Sequence, residues 1–237
     1  MREGALVVSE VFGPTWQGEG PSLGRLAGFV RLGRCNLDCG RGQGATWSCD
    51  TSYTWDWDRH DPAVELREAT PDEVVARLDA MGVDLVVVTG GEPLLQQRQL
   101  GPLLSAIKER GWRVEVETNG TVAPGPGRGL VDQFNVSPKL ANSGVERDRR
   151  YKPDVLRSFQ ATGAAIYKFV AAGPEDLHEV DAMVAECGLE PVWVMPAGTD
   201  AATLGERTRA LADAVLARRW NLTARLHVLV WGDRRGV

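Results

Sequence analysis

Residues 84–93 read DLVVVTGGEP. Leu85, Val86, Val87 and Val88 leave no polar position on either side of a strand. A run apolar on both faces marks a strand of a parallel sheet, covered above and below. Gly90-Gly91-Glu92-Pro93 then breaks it. Just upstream, Thr70 is placed as an N-cap, with Pro71 at the first helical position and Glu73 at the third, a capping-box arrangement. Val74, Val75, Leu78 and Met81 follow at helical spacing, and Gly82 ends that helix. Downstream, a helix is expected over 94–110, with Gly111 as its stop, and a strand over 114–118. The local unit is therefore helix, strand, helix, strand.

The same rhythm runs through the chain. Strands are expected at 5–12, 27–32, 131–136, 165–170, 192–195 and 224–230. Helices are expected at 154–161, 174–187 and 203–219. Residues 12–24 read as a Gly/Pro-punctuated loop. Residues 53–69 read as polar and irregular, with Trp55 and Trp57 packing over what precedes them. Strands alternating with helices imply βα units and a parallel sheet. Right-handed crossovers would wind about six strands into an open, partial β/α barrel. Nothing suggests a linker, so one domain over 1–237 is expected.

In such a sheet, ligands bind beyond the carboxyl ends of the strands. Cys35, Cys39 and Cys49 follow the strand at 27–32, and Thr89, Gly90, Gly91 and Glu92 follow 84–88. Thr118 and Asn119 end the next strand, Ser137 and Lys139 come after 131–136, and Pro196 and Gly198 after 192–195. His227 is expected within the last strand. The polar and Gly-rich punctuation thus converges on one rim.

The 237 residues are 43% hydrophobic and 25% charged, as in an ordinary globular domain, and the formal charge is -5 with no long basic run. A nucleic-acid surface finds no support there. No apolar run is long enough to span a membrane, and the N-terminus has no signal-peptide pattern. The cytoplasm, where thiols stay reduced, is the expected compartment.

Three of the four cysteines fall within 35–49, spaced C-x3-C-x9-C. Three thiolates can hold a cluster and leave one iron open. A structural zinc site would need a fourth ligand, for which His60 is the one histidine near in sequence, and the x9 gap fits zinc pairs poorly. Incidental cysteines are the third possibility. Spacing alone leaves the three open. Cys187 closes a helical apolar pattern and reads as a buried small hydrophobe. Alone, Gly90-Gly91-Glu92 is an ordinary turn, Asn119-Gly120 a common turn pair, Lys139 a solvated lysine and His227 a structural histidine. Residues 125–129, GPGRG, lack the end of a phosphate loop.

Together the motifs resemble the radical S-adenosylmethionine superfamily, and within it the 7-carboxy-7-deazaguanine synthase family. The carrying stretches are FGPTWQGEGP at 12–21, FVRLGRCNLDC at 29–39, CDT at 49–51, TGGEP at 89–93, ETNG at 117–120, Ser137-Pro138-Lys139, Met195-Pro196 and His227. They cover nearly the whole chain in order. The superfamily's usual C-x3-C-x2-C is expanded here by seven residues between Cys39 and Cys49, and no acidic residue follows Pro196.

The resemblance implies a [4Fe–4S] cluster on Cys35, Cys39 and Cys49, with S-adenosylmethionine on the free iron. It places Glu92 and the Gly90-Gly91 backbone on the methionine ammonium, Ser137, Pro138 and Lys139 near the ribose or carboxylate, and Met195, Pro196, Ala197 and Gly198 near the adenine. Ser48, Cys49, Asp50 and Asn119 complete that set. The implied substrate is 6-carboxy-5,6,7,8-tetrahydropterin, contracted to 7-carboxy-7-deazaguanine with loss of ammonia. Arg31 would clamp its carboxylate, since a guanidinium matches one bidentately. Trp16, Gln17, Gly18, Glu19, Thr89 and His227 would read the pterin, with Val237 within reach of it. Thr51 would offer its hydroxyl to Mg²⁺. The implied partners are a flavodoxin or ferredoxin as electron donor and a second copy in a homodimer. Two competing readings are another radical enzyme, such as a glycyl-radical activase, and a zinc-stabilised binding module.

Overall fold

The computed structural model describes residues 4–237; the first three residues of the expected 1–237 domain lie outside it. Strand β1 (Leu6–Trp16) pairs antiparallel with β2 (Leu26–Leu32). A short helix, α1 (Pro62–Glu65), leads to β3 (Arg67–Ala69), which pairs antiparallel with the other edge of β1. Helix α2 (Pro71–Asp79) begins with the expected capping box: Glu73 N donates to Thr70 Oγ1 at 3.2 Å, and Thr70 N to Glu73 Oε2 at 2.7 Å.

The βα rhythm then holds. β4 (Leu85–Gly90), α3 (Gln97–Glu109), β5 (Arg113–Thr118), β6 (Gln133–Val136), α4 (Arg147–Arg150), α5 (Pro153–Gln160), β7 (Ala165–Ala171), α6 (Leu177–Cys187), β8 (Val192–Pro196) and α7 (Ala201–Ala217) follow in turn. β9 (Asn221–Leu222) and α8 (Leu226–Trp231) end the chain. Among the described residues the strands form one nine-stranded sheet, ordered β3-β1-β2-β4-β5-β6-β7-β8-β9. From β2 to β9 every neighbour is parallel. The sheet ends in different strands on its two sides, so the barrel is open, as expected.

Alternation along the strands sorts the two faces. Val30, Val86, Val88, Val114, Val116, Phe134, Val136, Tyr167, Phe169 and Val194 belong to the main core, packed with the helices. The alternate positions turn inward. Ala27, Phe29, Leu85 and Val87 form a small apolar plug there, stacked on Phe12. Beyond it the inner positions become polar: Arg31, Thr89, Glu117, Asn135 and Lys168.

Three expectations are corrected. Residues 12–16, expected in a loop, continue β1. Residues 53–69 contain α1 and β3. No strand forms over 224–230, where the last one was expected: β9 lies upstream at Asn221–Leu222, and Leu226–Trp231 is helical. The run LHVLVW is a short apolar stretch, for which strand and helix patterns overlap. The helix puts His227 and Trp231, four apart, on one face. His227 packs on Gly18, where an added Cβ would lie 2.1 Å from Nδ1, and Trp231 stacks on Trp16 at 5.5 Å. That face closes over the end of β1.

Candidate active site

The strand ends, the loop after β2 and the segment after α8 enclose a cleft of about 640 Å³. Its wall includes Cys35, Cys39 and Cys49, together with Ser48, Asp50, Thr51, Gly90, Gly91, Asn119, Ser137, Lys139, Met195, Pro196, Ala197 and Gly198. Trp16, Gln17, Gly18, Glu19, Arg31, Thr89, His227 and Val237 line it as well. Two expected residues are not on the wall. Pro138 is passed over between Ser137 and Lys139. Glu92 is fully buried behind the wall. Its Oε1 accepts from Leu94 N at 3.0 Å and Thr118 Oγ1 at 2.8 Å, and its Oε2 accepts from Asn119 N at 2.7 Å. Burial raises its pKa. Satisfying two otherwise orphaned backbone N–H groups keeps Glu92 there, tying the loop after β4 to the loop after β5.

All three cysteines are free thiols, and they gather with Leu37, Trp47 and Val145 in one small apolar cluster. The expansion between Cys39 and Cys49 is a closed excursion. Gly40, at φ +89, sits so near its far end that an added Cβ would lie 2.8 Å from Ser48 Cα. The two ends of the insertion therefore touch, and Cys39 and Cys49 are kept together despite their distance in sequence. The excursion is pinned to residues 142 and 143, and its far end, Thr46, Trp47 and Ser48, lines the cleft. Gly40 N donates to Ser143 O and Thr46 N to Asn142 O, each at 2.9 Å, and Trp47 Nε1 donates to Asn142 Oδ1 at 3.0 Å.

These thiols suit a cluster. Burial pushes Cys35 up to about 12 and Cys39 up to about 11, so as free thiols they stay protonated at neutral pH, and iron binding must displace the protons. N–H donors already face two sulfurs, Leu37 N to Cys35 Sγ at 3.4 Å and Trp55 Nε1 to Cys49 Sγ at 3.5 Å. Such contacts tune iron–sulfur centres. Of the two tryptophans expected over this loop, Trp55 takes that place and Trp57 is exposed. His60 bonds Ser52 Oγ at 3.1 Å rather than approaching the cysteines. Cys187 is buried beside Tyr151 OH at 3.3 Å, far along the chain in the helical layer, as expected. Thr51 Oγ1 lies 3.5 Å from Cys49 Sγ on the cleft wall.

The cleft also carries a charged network that sequence reasoning only partly found. Glu19 pairs with Lys168, with Arg225 Nε at 3.1 Å and with His227 Nε2 at 3.9 Å. Burial alone would raise the Glu19 carboxyl, but the Lys168 ammonium and the Arg225 guanidinium outweigh it and hold it well below the usual range. Arg225 also pairs with Asp50 and donates from Nη1 to Gly198 O at 2.7 Å. One guanidinium thus joins the loop after β1, the cysteine loop and the end of β8. Burial would lower Lys168, but Glu19 and then Glu117 raise it. Burial pushes the His227 imidazole below its usual value, so the ring is neutral at neutral pH. Glu117 accepts from Thr89 Oγ1 at 2.7 Å and Gln17 Nε2 at 3.3 Å. Lys168, Arg225 and Glu117 were not anticipated. The signal for Lys168 was a lone cation inside the apolar strand AIYKFVA, since a lysine is almost never buried without a partner.

Arg31 also lines the cleft. Its Nε donates to Glu10 Oε1 at 2.9 Å and its plane covers Phe12 at 5.2 Å. Among the described residues, its two terminal nitrogens donate to no protein acceptor. A fork so presented fits a carboxylate.

Comparison with known proteins gives the same picture. Residues 17–123 match the family model described as a 4Fe-4S single cluster domain. The 7-carboxy-7-deazaguanine synthase of Pyrobaculum aerophilum is 38% identical over 97% of this chain and 96% of its own length. That of Hyperthermus butylicus is 36% identical, over 95% and 92%. The crystal structure of QueE from Escherichia coli superposes with a TM-score of 0.72 at 24% identity, covering 94% of this chain and 95% of that one, a likeness of fold. A full-length relation at this level settles what the motifs, the partial barrel and the three gathered thiols had indicated: the chain belongs to the 7-carboxy-7-deazaguanine synthase family of radical S-adenosylmethionine enzymes.

Proposed function

We propose that the protein converts 6-carboxy-5,6,7,8-tetrahydropterin to 7-carboxy-7-deazaguanine and ammonia. The overall change is a rearrangement with loss of ammonia, so it needs no net oxidant. The observation that carries this reading is Arg31, whose open fork faces the same cleft as the three cysteines. When bound, the [4Fe–4S] cluster and S-adenosylmethionine supply the one-electron, hydrogen-abstracting chemistry.

The chain's own share is holding and orienting. Cys35, Cys39 and Cys49 would hold the cluster. The bare backbone of Gly90 and Gly91, with Ser48, Asp50 and Asn119, would cradle S-adenosylmethionine. Lys139, which donates to Ser137 Oγ at 2.9 Å, would sit with Ser137 at its polar end, and residues 195–198 at the adenine. Arg31 would take the substrate carboxylate. Gln17, Gly18, Glu19, Thr89 and His227 would meet the pterin's polar edge, with Trp16 and Val237 at the mouth. The Glu19 carboxylate stays charged because Lys168 and Arg225 flank it, so it can accept from pterin N–H groups. Neutral His227 can accept or donate one hydrogen bond. Thr51 would offer its hydroxyl to Mg²⁺, a hard cation that takes oxygen donors. Enclosure excludes water while the reacting atoms are aligned.

The one-domain organisation over 1–237, the flavodoxin or ferredoxin donor, the homodimer and a cytoplasmic location belong to the same proposal. No helix of the described residues is long and apolar enough to cross a membrane. Family membership replaces the zinc-stabilised module and the activase reading. The test is anaerobic iron–sulfide reconstitution followed by incubation with S-adenosylmethionine, reductant and the carboxypterin. Equal amounts of 7-carboxy-7-deazaguanine and ammonia support the reading; S-adenosylmethionine cleavage with the pterin recovered intact refutes it.

A further inference from the structure

β1 carries an irregularity between Val8 and Glu10: Val8 pairs with Leu32, yet Glu10, two residues on, pairs with Arg31, one residue back. The extra residue on β1 is a bulge, and it re-aims the side chain that follows. Without it Ser9 would face Arg31. With it, a carboxylate does.

That carboxylate is shared three ways. Glu10 Oε1 accepts from Arg31 Nε at 2.9 Å, from Tyr53 OH at 2.7 Å and from Arg235 Nε at 3.3 Å. Arg235 is held further by Glu65 Oε2 at 2.7 Å and lies 3.7 Å above the Tyr53 ring. Arg31, Tyr53 and Arg235 line the cleft, and Glu10 does not. One acceptor behind the wall therefore sets the direction of three side chains on it. An unrestrained arginine must give up rotamer freedom to bind a carboxylate; one already fixed at Nε and over Phe12 gives up less.

We propose that Glu10 is a positioning residue that couples two parts of the substrate half of the cleft: it orients the Arg31 fork for the substrate carboxylate, and through Arg235 it docks residues 232–237 along the rim beside that fork. The coupling rests on the synthase reading above as far as the carboxylate is the substrate's. Docking of 232–237 and presentation of the fork then depend on the same oxygen.

The test uses the reconstituted, unreduced holoenzyme with S-adenosylmethionine, and Glu10→Gln, which keeps the shape and an acceptor but removes the charge. Binding of 6-carboxytetrahydropterin and of tetrahydropterin without the carboxylate is measured by calorimetry. Hydrogen exchange is followed in 232–237. Glu10→Gln is expected to weaken the carboxylated pterin about tenfold, leave the uncarboxylated one and S-adenosylmethionine unchanged, and speed exchange in 232–237. In an Arg31→Ala background the same substitution should add no further loss of carboxypterin affinity, while exchange in 232–237 still quickens. Equal weakening of both pterins, or full additivity with Arg31→Ala, or unchanged exchange in 232–237, overturns the proposal. If the wild-type protein does not turn over the carboxypterin, the synthase reading fails instead; the exchange measurement needs no turnover and still decides the coupling.

Discussion

Replacing Arg225 by Met removes one charge from the cleft while keeping most of the side chain's apolar stem. Arg225 is 8% exposed. It leaves behind Gly198 O, which loses its donor at 2.7 Å, and Asp50, which loses its partner. Glu19 loses a contact at 3.1 Å but retains Lys168. Breaking a buried ion pair from one side costs roughly 3–5 kcal/mol. Asp50 is partly exposed and can turn to water, which discounts its part. About 3 kcal/mol is therefore expected. In a chain of this size that is a fall of about 6–12 °C in Tm. Because the guanidinium ties the cysteine loop to the end of β8, S-adenosylmethionine affinity should fall along with stability. Arg225→Lys, with one donor head in place of a fork, should lie between. Thermal melts and S-adenosylmethionine binding on the reconstituted protein decide it. A Met variant melting within about 1 °C of wild type with unchanged affinity would show that the network does not hold these loops together.

Other perturbations have equally direct outcomes. Gly18→Ala puts a methyl 2.1 Å from His227 Nδ1, so His227 must move; KM for the pterin should rise with little change in KM for S-adenosylmethionine. Asn142→Ala removes the side-chain anchor of Trp47 but keeps the backbone bonds from Gly40 and Thr46, so residues 40–48 should loosen; limited proteolysis there should quicken, and the cluster should be lost faster in air. His227 is held below its usual pKa, so the unfolded chain takes up a proton near pH 6.5 that the folded chain refuses, and stability should fall as pH drops through that value. Glu19 and Asp50 are lowered, so their contribution is present above the carboxylate range and lost below it; Lys168 is raised, so its contribution is lost only as pH climbs past the usual lysine value. His227→Gln should flatten the urea-midpoint profile between about pH 5.5 and 7.5.

Much of this architecture is written locally. The capping box at Thr70 and the apolar run at Leu85–Val88 need only neighbours in sequence, and the structure keeps both. The residues after each strand meet in one cleft because parallel strands present all their carboxyl ends together. What escaped depends on distant contacts. The run Leu226–Trp231 is mostly apolar and fits strand or helix by pattern, and as a helix it sets His227 against Gly18 and Trp231 against Trp16. The bulge at Ser9 has no composition signal; it shows only as a register between two strands. Arg225 and Glu117 carry no local signal of a role; it appears only when their partners, far apart in sequence, come beside them. The expanded spacing between Cys39 and Cys49 does not say how the insertion folds; its ends touch at Gly40 and Ser48. Glu92 had the opposite fate: its acidity suggested a ligand contact, and two backbone amides took it first.

The central claim is that three thiols, and not the fourth, hold an iron–sulfur cluster in this cleft. Iron and acid-labile sulfide should be counted per chain after anaerobic reconstitution, in the wild type and in single Ala variants of Cys35, Cys39, Cys49 and Cys187. About four iron and four sulfide are expected for the wild type and for Cys187→Ala, with loss in each of the other three. One zinc without sulfide, or full iron content after removal of Cys35, Cys39 or Cys49, would contradict it.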